Sequence, residues 1–245
     1  MKSEIKAFLN KIKFAGDSYI CPVCNFHAKK FLDSGLYTKR KQAKCPNCGS
    51  LERHRQLYLI LQDYLNLTEK KSLLHFAPER CLKQVLMKKH HLNYQTSYYE
   101  GQQQGDFCYD IQNIDAKDNS FNYIICSHVL EHVDNDKKAI SEMYRILYAG
   151  GIAFIQVPVW PSEKHPTYEN SNIIDEHDRI IHFGQFDHVR IYGLDIEQRL
   201  TESGFDEVLV LDLSQTLEEL KIQKYGLKNY GGARDLTFVC KKFEN

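Results

Sequence analysis

Hydrophobic and polar positions follow two rhythms along this chain, and the switching between them outlines its organisation. After residue 70, short apolar runs alternate with segments whose apolar residues recur every three or four positions. "SLLHFA", "NYQTSYYE", "FNYIICS" and "IAFIQVPV" read as strands. "ERCLKQVLMKKH" reads as a helix with Leu82, Val85 and Leu86 on one face. "NDKKAISEMYRILYAGG" turns Ile140, Met143 and Leu147 inward and stops at Gly150 and Gly151. "DIEQRLTESGF" predicts a short helix with Asp195 as cap and Gly204 as stop, and "EVLVLDL" and "LTFVCKK" close the chain as strands. Strands alternating with helices predict an α/β fold built on a doubly wound, mostly parallel sheet, with ligands bound at the carboxyl ends of its strands.

The chain before residue 70 follows a different pattern. "SLERHRQLYLILQDYLNL" places Leu57, Ile60, Leu61, Tyr64 and Leu65 on one helical face, with Ser50 as cap and Glu52 in the first turn. The Glu52-Arg53-His54-Arg55 cluster is either a solvated helix face or a place where a basic side chain holds an anionic group. The opening "MKSEIKAFLNKIKFAG" reads as a lysine-rich amphipathic helix rather than a signal peptide, which points to the cytoplasm. No apolar run approaches the roughly 18 residues of a membrane helix, so no membrane partner is expected.

Cysteine spacing adds chemistry to that first part. "CPVC" and "CPNCG" place Cys21, Cys24, Cys45 and Cys48 in two C-x2-C knuckles. Zinc takes four such thiolates in a tetrahedron, and a region this small needs a staple to fold. With all four positions filled by protein, the ion is expected to be structural. The expected organisation is an N-terminal helix and zinc ribbon over 1–50, a linking helix over 51–69, and the α/β domain over 70–245. Within that domain, a substrate-covering insert spans about 160–193.

The 245 residues carry no net charge, yet residues 1–60 hold 12 Lys and Arg against 4 Asp and Glu. That basic excess leaves RNA open as a partner of the N-terminal module, beside the reading of a solvated surface.

The segment "DNSFNYIICSHVLEHVDNDKKAISEMYRILYAGGIAFIQVPV" resembles class I S-adenosylmethionine-dependent methyltransferases of the type 11-like group. Their fourth strand carries the pattern "FDxVxxxxVLEHV", followed by a helix, an "LxPGG" turn and another strand. Here Asn122 replaces the usual Asp, and Tyr148-Ala149 replace Lys-Pro. The resemblance covers roughly residues 70–245 and implies a Rossmann-like sheet of seven strands and S-adenosylmethionine as cofactor. It implies adenine contacts at Asp110 and at the backbone of Ile111, in "CYDIQNID". Ser127 and His128 would stand beside the methionyl part. The family's first cofactor loop, an acidic residue followed by glycines, maps onto His75, Phe76, Ala77 and Glu79. Ala77 is small enough for close approach, and Glu79 could meet the cofactor's ammonium. Glu100 is the candidate for the ribose hydroxyls, with Tyr98 as the other option.

The insert carries His165, His177, His182 and His188, and long insertions at this edge of such folds cover the substrate. "FGQFDHVRIYG" crowds Asp187, His188 and Arg190 together, which makes them the catalytic candidates, with His188 as general base. "DHVRIYG" also resembles a segment of methyltransferases that carry an N-terminal cysteine ribbon. The implied activity is methyl transfer from S-adenosylmethionine to a small-molecule or sugar-like acceptor. An RNA methyltransferase using the ribbon to bind RNA, and a non-catalytic binding protein with a decayed methyltransferase fold, are the alternatives.

Overall fold

A computed structural model describes residues 11–35, 39–65, 68–99, 105–160, 166–228 and 233–244. Residues 1–10 of the expected N-terminal helix, Glu100 and His165 lie outside the described residues. In chain order, β1 (Ala15–Cys21), β2 (Phe26–Ala28), β3 (Leu32–Ser34) and β4 (Arg40–Lys44) precede helix α1 (Glu52–Tyr64). Next come β5 (Lys71–Phe76), α2 (Arg80–Leu86), β6 (Leu92–Ser97), β7 (Phe121–Ser127) and α3 (Asp136–Ile146). Then follow β8 (Leu147–Val159), β9 (Tyr168–Glu169), α4 (Glu176–Phe183), β10 (Arg190–Ile191) and α5 (Ile196–Glu202). The chain ends with β11 (Glu207–Leu211), α6 (Leu213–Thr216), α7 (Glu219–Tyr225) and β12 (Arg234–Lys241).

Contacts divide the chain into two compact units. One holds the described residues of Met1–Asn66, Glu79–Lys89 and Asp212–Gly231; the other holds those of Leu67–Pro78, His90–Leu211 and Gly232–Asn245. The helices α1, α2, α6 and α7 thus go with the cysteine-bearing hairpins.

In the cysteine-bearing unit, β1 pairs antiparallel with β2, and β3 with β4. Such short hairpins have little core of their own, and Arg55 of α1 fastens them. Its side chain is fully buried and donates to the carbonyls of Ala43, Ser50 and Tyr225 at 2.9, 2.7 and 2.8 Å, and to that of Gly226. The guanidinium also lies 4.6 Å from the Phe31 ring centroid. Burial lowers its pKa, and the neighbouring Glu52 opposes that shift. Arg55 is therefore neither solvated nor a holder of a ligand anion. Ser50 does not cap α1: Leu51 occupies the cap position, and its N–H donates to His54 Nδ1 at 3.1 Å.

In the second unit, the sheet runs in the order β11-β12-β8-β7-β5-β6. The β6, β5, β7 and β8 strands are parallel, while β12 and β11 run antiparallel. This is the Rossmann-like arrangement with a terminal hairpin that the resemblance implies. It has six strands among the described residues rather than seven. Beyond β6, where a further strand would lie, pairing shrinks to one parallel bridge between Ser97 and Phe107. Tyr98 and Phe107 share that edge only briefly, because Asp106 turns back to accept hydrogen bonds from Thr96.

The main core lies on one face of β5, β7, β8 and β12, with Leu74, Ile124, Ile155 and Phe238 at 1% exposure or less. Ile140, Met143 and Ile146 of α3 and Leu200 of α5 pack against it. Leu147 is buried as well, but it begins β8 rather than ending α3. Asn122, in place of the usual Asp, accepts from the Ser72 N–H and hydroxyl at 2.9 and 3.1 Å and so joins β5 to β7.

Candidate functional site

The two cysteine knuckles have the same construction. Asn25 and Gly49 each follow the second cysteine of a pair with positive φ, 52° and 77°, and donate their N–H to the carbonyl of Cys21 and Cys45 at 2.8 and 3.0 Å. Asn and Gly are the residues that enter this left-handed region most readily. The turns bring all four sulfurs within 4.8 Å of one another, and none is in a disulfide. Cys21 and Cys48 are 3.6 Å apart, and Cys24 and Cys45 are 3.7 Å apart. Four thiolates about 2.3 Å from one tetrahedral ion would stand about 3.8 Å apart, so the cluster fits such an ion. Ser50, released from capping, places its hydroxyl 3.2 Å from the sulfurs of both Cys21 and Cys48. Hydrogen bonds from the other three thiols pull Cys21 far below the ordinary thiol range.

In the second unit, a cleft of about 500 Å³ opens where β5, β6 and β7 end. Two non-glycine residues with positive φ shape its floor: Ala77 after β5 (φ 43°) and His128 after β7 (φ 53°). The Ala77 N–H donates to the Ser97 carbonyl and the His128 N–H to the Gln156 carbonyl, both at 2.8 Å. Each strand therefore makes one further sheet bond and then turns away, exposing backbone to the cleft. A methyl group is all the side chain that Ala77 brings to this close approach.

Of the predicted cofactor residues, Phe76, Ala77, Asp110, Ile111 and His128 line the cleft, as does Asp187 from the insert. Tyr98, the other option for the ribose contact, lines it too. His75 is buried and engaged with the Tyr94 hydroxyl at 2.9 Å. Glu79 stands 3.6 Å from His54. Ser127 is buried, and its hydroxyl donates to Gln156, which reaches Thr237. None of these three is among the cleft residues. His132 lines the cleft beside His128, as its place after β7 suggests, and Tyr109, Gln112 and Arg179 line it without having been expected there.

Arg190 has a bracing position. It is 3% exposed and donates to the carbonyls of Leu130 and Asp134 at 2.7 and 2.9 Å, to that of Val133, and to Glu169 at 3.0 Å. Tyr192 donates to Asp136 at 3.0 Å. "DHVRIYG" thus grips the loop after β7. Glu169, Asp175 and His177 do not gather into a metal cluster among the described residues. Asp175 instead caps α4, accepting from the His177 N–H at 2.8 Å.

Glu131, His132 and His188 do converge, with one ligand atom of each within 4.8 Å of the others. The two imidazoles meet edge to face at 4.7 Å. Glu131 is completely buried, which works to raise its carboxyl pKa. The nearby charge of His128, whose Nδ1 is 3.0 Å away, and then that of His132 outweigh burial and hold it below the ordinary range. Burial lowers His188, against the pull of Glu131.

Residues 76–155 match the family model described as "Methyltransferase domain". No curated protein matches the sequence significantly. Among solved structures, the [4+2]-cyclase SpnF superposes with a TM-score of 0.54 at 15% identity, covering 78% of this chain and 82% of that one. Phosphoethanolamine N-methyltransferase 2 of Haemonchus contortus, solved with phosphomonomethylethanolamine and S-adenosylhomocysteine, gives 0.52 at 15% identity. That match covers 77% of this chain and 53% of that one. The CurJ carbon methyltransferase gives 0.50 at 14% identity over 79% of this chain and 54% of that one. The shared feature at these identities is the fold, and a cyclase among its bearers shows that the fold alone does not fix the chemistry.

Proposed function

We propose that this chain, whose residues 76–155 match the model described as "Methyltransferase domain", transfers a methyl group from S-adenosylmethionine to a small-molecule or sugar-like acceptor. The observation that carries this reading is the cleft at the strand ends, lined by Ala77, Asp110, Ile111 and His128. Asp110 would accept from the adenine amino group, Ile111 would offer backbone to the ring, and Tyr98 would meet the ribose. Ala77 would let the methionyl part approach the backbone, with His128 beside it. The cofactor supplies a methyl group already activated by its sulfonium, so the protein's main task is to hold the acceptor in line behind it. Asp187, from the insert, faces the same cleft and would contact the acceptor.

We also infer that Cys21, Cys24, Cys45 and Cys48 hold a structural zinc ion, on the fit of their spacing. In the same unit Lys39, Lys41 and Lys228 border a hollow of about 590 Å³. That basic surface favours RNA as the second reading of the acceptor.

Calorimetry with S-adenosylhomocysteine tests the first reading. Binding to the native chain, weakened about tenfold by Asp110→Ala, is expected, in line with loss of a charged hydrogen bond of about 1.4 kcal/mol. Absence of binding at millimolar ligand would leave the non-catalytic alternative standing. A gel shift with bulk RNA at low salt separates the two acceptor classes: no shift counts against RNA.

A further inference from the structure

The convergence of Glu131, His132 and His188 has no part in holding the cofactor as proposed above. Its details match what a metal ion requires. The His132 Nδ1 lies 3.2 Å from the Asp187 carbonyl oxygen and 3.3 Å from that residue's carboxylate. The His188 Nδ1 lies 3.2 Å from the Phe183 carbonyl oxygen. A carbonyl oxygen can only accept, so in each neutral ring Nδ1 carries the proton and Nε2 keeps its lone pair. Metal-bound histidines are oriented in this way by a carbonyl or carboxylate behind them. The third group is a carboxylate removed from water. Glu131 Oε1 lies 3.0 Å from His128 Nδ1, while Oε2 is buried with no hydrogen-bond partner among the described residues. A buried carboxylate with that geometry is strongly stabilised by a cation.

We propose that Glu131, His132 and His188 form a divalent-cation site at the edge of the cleft, whose open positions receive an oxygen of the methyl acceptor. Two imidazoles and one carboxylate suit Mn²⁺, Fe²⁺, Co²⁺ or Zn²⁺, and three protein ligands leave room for water or substrate. His132 also lines the cleft, which puts the site on the acceptor's path. An acceptor hydroxyl taken up there gives its proton to water more readily. Its oxygen then bonds to the methyl carbon, the carbon–sulfur bond breaks, and that electron pair stays on sulfur. The acceptor part of this inference rests on the methyltransferase reading; the metal part does not.

Manganese is the probe, because it avoids thiolate sites. The full chain, loaded with one equivalent of zinc, is titrated with Mn²⁺ and followed by electron paramagnetic resonance, including pulsed detection of nitrogen couplings. One Mn²⁺ per chain with couplings from two imidazoles is expected, together with at least tenfold weaker binding in Glu131→Gln and in His188→Ala. Near-ultraviolet circular dichroism reports that the variants are folded, and binding of S-adenosylhomocysteine is measured on the same samples. The metal site is overturned if the native chain shows no imidazole coupling, or if folded variants bind Mn²⁺ as tightly as it does. S-adenosylhomocysteine binding without manganese removes the metal site and leaves the methyltransferase reading. Imidazole-coupled manganese without S-adenosylhomocysteine binding removes that reading and the acceptor role, and leaves the metal site.

Discussion

The Val189 N–H donates to the Glu131 carbonyl at 2.9 Å, which ties the insert to the loop that follows β7. Arg190, next in the chain, extends the tie to the carbonyls of Leu130, Val133 and Asp134. This loop carries His128 and His132 into the cleft, so the insert fixes the site's floor as well as bordering it. Arg190→Met would remove the guanidinium from the Val133 and Asp134 carbonyls and leave the Leu130 carbonyl with the Tyr192 hydroxyl alone. We expect a loss of about 3 kcal/mol in urea unfolding, the scale for removing one member of a buried charged network. Faster hydrogen exchange in residues 128–134 should accompany it. A substrate-contacting role without bracing would lower turnover and leave the unfolding midpoint unchanged.

Acid should loosen the same brace through Glu169. Partial burial works to raise its carboxyl pKa, but hydrogen bonds from Arg199 and Arg190 prevail and hold it low. A group depressed in the fold contributes stability above its unfolded value, roughly 4.3. That contribution is lost as pH falls through the folded value. Exchange protection of residues 128–134 is therefore expected to hold steady from neutral pH down to about 4.3 and to drop below it. In Glu169→Gln the drop should shrink; an identical acid profile would separate the brace from Glu169.

The first cofactor loop makes a paired prediction. Ala77 adopts a left-handed conformation with φ 43°, which costs an L-residue about 1 kcal/mol or more. Ala77→Gly relieves that strain, though glycine's freer unfolded chain offsets part of the gain. A net rise of about 0.5 kcal/mol in unfolding free energy is expected, with cofactor affinity preserved. Glu79, in contact with His54, is expected to leave S-adenosylhomocysteine affinity unchanged when replaced by Gln, while Asp110→Ala weakens it. Equal losses for Glu79→Gln and Asp110→Ala in calorimetry would return Glu79 to the cofactor.

Much of this was legible in the sequence because it rests on local regularities. The 3.6-residue period located the core of α3, and the two C-x2-C spacings located four sulfurs that converge. The sequence was less informative wherever a side chain had two chemically sound partners. Ser50 is a good helix cap by type, yet its hydroxyl serves the cysteine sulfurs. Arg190 looks like a cleft cation, yet the carbonyls of a distant loop turn it inward. A seventh strand was implied beyond β6, but Asp106 bends the chain away after one bridge to Thr96's neighbour Ser97. Glu131 and His132 lie side by side in "VLEHV", a pattern that by itself places only the histidine near the cleft. Their meeting with His188 depends on how the insert folds back, which no local pattern encodes.

The cysteines give a last prediction, because their environments differ in kind. Cys108 is exposed, while Cys81, Cys126 and Cys240 are buried. Burial, with Glu79 adding to it, pushes the Cys81 thiol up to about 12, and burial raises Cys240 as well. Thiolate is the reactive form, so these thiols should resist alkylation at pH 8. The four knuckle sulfurs should be protected too, by the ion inferred between them. Native protein treated with iodoacetamide and mapped by mass spectrometry is therefore expected to be modified at Cys108 alone. Adding a zinc chelator removes the staple from hairpins too small to hold without it. Cys21, Cys24, Cys45 and Cys48 should then react together, with loss of structure in their unit, while Cys126 and Cys240 stay protected in the β7–β8–β12 core. Unchanged labelling after chelation, in a protein that elemental analysis shows to be zinc-free, would sink the structural zinc assignment.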